Sequence, residues 1–85
     1  MKISHKNEGQ TIIELDKDDI LYVQSTVHDK TFRFLAKQDR FNTSAYDSVK
    51  LTVEDNLFIV ETTRQGRPDK KVFSETWGFY IEKYN

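Results

Sequence analysis

Apolar residues alternate with polar ones along most of the chain, and β-branched and aromatic side chains carry the alternation. A period of two sends successive side chains to opposite faces of a pleated strand, so each such stretch predicts a strand with one face toward a core. "KISH" (2–5) and "TIIEL" (11–15) come first, with Thr11, Ile13 and Leu15 on one face. Between them residues 6–9 have turn chemistry, Gly9 supplying a permissive φ, and the pair reads as a hairpin. After the polar break at 16–19, "ILYVQSTV" (20–27) begins apolar on both faces, Leu21 and Val23 on one and Ile20 and Tyr22 on the other. That is expected of a strand in the middle of a sheet. His28, Asp29 and Lys30 turn the chain into "TFRFLAK" (31–37), where Phe32 and Phe34 share a face.

The second half continues the pattern with one ambiguity. "SVKLTVED" (48–55) reads as a strand with Val49, Leu51 and Val53 inward. It also reads as a helix capped by Ser44, with Asp47 three positions on and Tyr46, Val49 and Val53 as its stripe. The β-branched alternation favours the strand. "LFIVETTR" (57–64) is a strand, "QGRPD" (65–69) a turn around Gly66 and Pro68, and 70–84 one bulged strand or two short ones. Along that last stretch Phe73, Trp77, Phe79 and Ile81 fall on odd positions and fill the core, while Tyr80 and Tyr84 fall on even positions and face outward. The predicted fold is all-β: a small antiparallel meander closed as a barrel or folded as a sandwich, with at most one short helix near 44–53. A single domain covers residues 1–85.

Composition sharpens this picture. A domain of 85 residues buries only about 60–65% of its unfolded surface, and no cysteine is present to staple it or to hold zinc through thiolates. Six Phe, four Tyr and one Trp supply the missing area. Thirteen Lys and Arg against fourteen Asp and Glu leave a net charge of −1, without the basic excess usual in nucleic-acid binders. "MKISHKNEGQ" holds no apolar stretch of signal-peptide length, which predicts a cytoplasmic protein. The rich use of Lys, Asn, Ile, Asp and Tyr suggests a bacterial or phage source.

Candidate chemistry is sparse. His28 beside Asp29 suggests a base and its orienter, but the pair lies in a turn and reads more simply as a polar tip. "ELDKDD" (14–19) gathers carboxylates without the mid-loop glycine and distal glutamate of a calcium loop. "NTS" (42–44) matches a glycosylation sequon by coincidence in a chain without a secretory signal. No catalytic motif, cofactor loop or metal site is expected. The strongest local feature is "RQGRPDKK" (64–71), where Arg64, Arg67, Lys70 and Lys71 stand against Asp69 within one predicted hairpin tip. Such a tip contacts phosphates or an acidic protein surface, or simply guards a sheet edge.

"DDILYVQS" (18–25) resembles the signature strand of the LytTR-type DNA-binding domain, and the spacing through "TFRFLAK" to "LFIVETT" is loosely similar over residues 11–62. The resemblance implies a β architecture. The family's DNA-contacting Arg and His are replaced here by the run Phe58, Ile59, Val60, Glu61, Thr62, Thr63, so no DNA-contact residue carries over. The function expected from the sequence is therefore a non-enzymatic protein-interaction module, such as a phage, plasmid or regulatory accessory protein, with self-association as one form of partnership. The alternative is a nucleic-acid-binding β domain using the hairpin 64–71. The expected contact residues are Arg64, Arg67, Lys70, Lys71, Tyr80 and Tyr84.

Overall fold

The computed structural model describes residues 1–7, 9–16, 19–36 and 46–83. Every regular element among them is a strand: β1 Lys2–Asn7, β2 Gln10–Glu14, β3 Asp19–Ser25, β4 Thr31–Leu35, β5 Ser48–Val53, β6 Leu57–Arg64, β7 Arg67–Ser74 and β8 Trp77–Lys83. All the ladders between them are antiparallel. A five-stranded sheet runs β1-β2-β5-β6-β7 and a three-stranded sheet runs β4-β3-β8. The fold is all-β in its sandwich form, and the described residues do not close it into a barrel. The ambiguous stretch resolves as strand from Ser48 to Val53, whereas Ser44 lies outside the described residues.

Neighbouring strands pair as hairpins, and the chain changes sheet at three places. It crosses after β2 to build β3 and β4, returns to pair β5 with β2, and crosses again between β7 and β8. The last crossing takes only Glu75 and Thr76. It is anchored by the Thr76 carbonyl, which accepts from the Thr26 amide at 2.8 Å and from the Thr26 hydroxyl. Phe73 and Trp77 therefore point inward from opposite sheets and meet edge to face, with ring centroids 5.1 Å apart.

The core is the meeting of the two inward faces. Leu21, Val23 and Phe34 of the smaller sheet pack with Ile13, Val49, Leu51, Phe58, Val60 and Phe73 of the larger, all buried. Phe32, Trp77, Phe79 and Ile81 close the rim half-buried. The odd positions of β8 thus face the core as predicted, and Tyr80 faces out, 45% exposed. Trp77 is less buried than its size suggested, because β8 is the last strand of a narrow sheet and, among the described residues, has a neighbouring strand on one side only. β3 is the central strand that its two apolar faces predicted. Its outward Ile20 is also buried, with Leu35, and Tyr22 packs against this pair.

One buried charge joins the start of the chain to its last strand. Asp19, 3% exposed, takes the Asp16 amide on Oδ2 at 2.9 Å and Lys83 Nζ on Oδ1 at 3.1 Å. The amino group of Met1 lies 3.3 Å from Oδ2 and also contacts Asp16. Burial opposes ionisation of the carboxyl, but the Asp16 amide, Lys83 and the Met1 amine outweigh it and hold the group below the usual carboxylate range.

Candidate functional site

The stretch expected to form a broad basic tip is instead a tight hairpin. Gln65 and Gly66 alone make the turn, with φ of 53° and 77°, the left-handed pair of a type I′ connection. Arg67 already stands opposite Arg64 in the β6–β7 ladder, and Pro68, Asp69, Lys70 and Lys71 continue as strand. Pro68 is tolerated because β7 ends its sheet, so a missing amide costs no ladder bond on the free side. A turn reading of "QGRPD" was natural from Gly and Pro. It fails because two residues with positive φ already reverse the chain.

The extended backbone splits the four cations. Arg64, Arg67 and Lys71 lie on the face of the hairpin that continues the core side, while Lys70 points to the outer face. On the inner side the guanidinium of Arg64 rests 4.2 Å from the centre of the Tyr46 ring. Lys71 Nζ lies 4.0 Å from Asp69 and 5.8 Å from the centre of the Phe32 ring. All residues from 64 to 72 are exposed, and the hairpin presents a concavity of about 410 Å³ lined by Tyr46, Thr62, Arg64, Gln65, Arg67 and Asp69, among others. Asp47 fixes its base, accepting from the Gln65 amide at 2.7 Å. Arg64 directly opposite Arg67 is a like-charge cross-strand pair, which costs stability in a hairpin without a use for it.

Lys70 belongs to a different arrangement. Its cross-strand partner is Glu61, whose partner is Lys50, followed by Glu14 and then Lys2. One row of the larger sheet's outer face thus alternates in sign across all five strands, with Lys50 Nζ 3.7 Å from Glu61. A shallow hollow of about 560 Å³ lies on this face over Ser48, Lys50, Glu61, Thr63, Pro68 and Lys70. Sequence reading had no signal for this row, since the members come from strands far apart in the chain.

The outer face of the smaller sheet carries a second aromatic feature. Tyr22 and Tyr80 are directly opposite on β3 and β8 and stack with centroids 4.8 Å apart and planes 15° from parallel. Arg33 completes the row on β4. Tyr84, the other tyrosine expected to make contacts, lies outside the described residues.

The remaining candidates take structural places. His28 and Asp29 are exposed in a bend whose Val27 and His28 amides donate to the buried Ser25 hydroxyl at 3.2 and 2.9 Å. His5 Nδ1 lies 3.2 Å from the Thr11 hydroxyl across the first hairpin. Among the described residues no three His, Asp or Glu side chains converge as metal ligands, and no helix is long and apolar enough to cross a membrane. The sequon lies outside the described residues. Comparison with protein-family models, with curated proteins and with solved structures finds no match to this chain.

Proposed function

We propose that the chain is a small, non-enzymatic protein-interaction module of the cytoplasm that docks an acidic surface of a partner protein onto the β6–β7 hairpin. The observation that carries this reading is the register that sets Arg64 against Arg67, with Lys71 two positions beyond Asp69 on the same side. Three cations share that face of an exposed hairpin held in shape by a two-residue turn and by Asp47. Guanidinium groups fixed by a scaffold recognise carboxylates with directional, charge-assisted hydrogen bonds. The ring of Tyr46 beneath Arg64 orients one of them.

The test is capture from native lysate on the immobilised full chain, wild type against Arg67→Ser/Lys71→Ser, with and without nuclease. Both positions are exposed, so the variant is expected to fold normally. The expected result is a retained protein that survives nuclease and is lost from the variant. Material that vanishes with nuclease, and whose retention falls steeply with salt, assigns the hairpin to nucleic acid instead. Equal retention on both forms removes the hairpin from function.

A further inference from the structure

Sheet edges present unpaired amides and carbonyls, and soluble proteins block them with proline, bulges or charge. β7 is blocked in this way. Opposed residues must share a face, so an antiparallel self-pairing of this strand that keeps nearly its full length sets Lys70 or Lys71 against its own copy, and Pro68 lacks an amide. β1 is blocked too: a bulge interrupts it between His5 and Asn7, and Lys2 and Lys6 place a charge near each of its ends. At β4 the Leu35 carbonyl is taken by the Tyr46 amide at 2.9 Å.

β8 has no proline and no bulge, and its only charges, Glu82 and Lys83, stand at its end. Its seven residues pair with β3 without a register shift, and among the described residues no strand pairs on its other side. Residues 77–81, "WGFYI", carry no charge and no proline. Trp77, Phe79 and Ile81 remain only half-buried at this edge.

We propose that β8 is the interface through which two copies of this chain associate, by antiparallel edge pairing about a two-fold axis at Tyr80. The strand is self-complementary in that register. Phe79 falls opposite Ile81 of the second copy, Trp77 opposite Lys83, Gly78 opposite Glu82, and Tyr80 opposite itself, so no like charges oppose. The two smaller sheets become one six-stranded sheet. On its outer face the stacked Tyr22–Tyr80 pairs of both copies form a row of four rings ended by the two Arg33 side chains. Backbone bonds supply attraction and the aromatic pairs supply register, as in other strand-addition contacts. This surface is separate from the basic hairpin and stands independently of the docking reading.

Sedimentation of the wild type from micromolar concentration up to about 1 mM is expected to show a monomer–dimer equilibrium, a range suited to a small interface. Gly78 has open space where a side chain would start, so charge is introduced there without a clash. Gly78→Glu opposes Glu82 twice in the dimer and is expected to weaken association about tenfold, while Gly78→Lys pairs with Glu82 twice and tightens it. The chain has no cysteine, so Tyr80→Cys is expected to form an intermolecular disulfide on mild oxidation, because directly opposed Cα atoms lie within bridging range, and Gly78→Cys is not. A wild type that stays monomeric throughout overturns the proposal. So do Gly78 variants that shift association in the same direction or not at all, and cross-linking that fails at Tyr80→Cys or is matched at Gly78→Cys.

Discussion

Asp19 is where a single side chain has the most to hold. Its carboxylate satisfies the Asp16 amide and neutralises Lys83 in a nearly closed position at the head of β3. Asp19→Asn keeps the shape and removes the charge, and is expected to cost about 1–3 kcal/mol at neutral pH, the range for a buried partner left unsatisfied. Because the folded carboxyl titrates below its unfolded value, its contribution is complete above the unfolded value, near pH 4, and is lost as pH falls through the folded value. Melts from pH 7 to pH 2 should show the wild type losing its advantage over Asp19→Asn only in the acid range. A constant difference at all pH values would mean that Asp19 acts through packing alone. The large rings give a second residue-level test. Phe73 is 5% exposed and touches Phe32, Phe58 and Trp77, so Phe73→Ala is expected to cost about 3–5 kcal/mol. Trp77, half-buried on an edge, should cost less on truncation despite its greater size. Chemical denaturation of both variants gives the order directly, and the reverse order would place the core nearer β8.

At the scale of elements, the strands were legible where alternation was clean, and their pairings were not. β3 announced itself as central because Ile20 and Tyr22 on one side and Leu21 and Val23 on the other were all apolar. The parity of β8 was readable because Phe79, Tyr80 and Ile81 alternate. β7 was misread at its start because Gly66 and Pro68 are turn residues in most settings, and only an edge position makes room for that proline. The charge row from Lys2 to Lys70 was invisible, since it depends on register between strands up to dozens of positions apart. That row has a consequence at its centre. Lys50→Glu places three carboxylates side by side with Glu14 and Glu61, and is expected to destabilise the fold by about 0.5–2 kcal/mol at low salt. The loss should shrink as salt is raised, and adding Glu61→Lys should restore little of it, because the new lysine then stands opposite Lys70 while the carboxylate at 50 still faces Glu14. Melts of the single and double variants in low and high salt measure this, and an unaffected single variant would show that the outer row carries no weight.

The two sheets end differently. The larger sheet extends beyond the shared core in the β6–β7 hairpin, where the free edge is guarded by lysine and proline and the inward cations gather. The smaller sheet ends at β8, beside which no strand pairs among the described residues. Of the candidate site, the presence of cations at 64–71 was legible in the sequence. Which of them share a face was not, because the strand's pleat decides it and sends Lys70 away from Arg64, Arg67 and Lys71. The central claim, that this hairpin side docks a protein, is tested most directly by nuclear magnetic resonance of the isotope-labelled chain added to nuclease-treated native lysate. The expected result is selective broadening or shifting of the signals of Arg64, Arg67, Asp69 and Lys71 that persists after nuclease and is absent from Arg67→Ser/Lys71→Ser. Unchanged hairpin signals, with changes confined to the outer row at Lys50, Glu61 and Lys70, would contradict it.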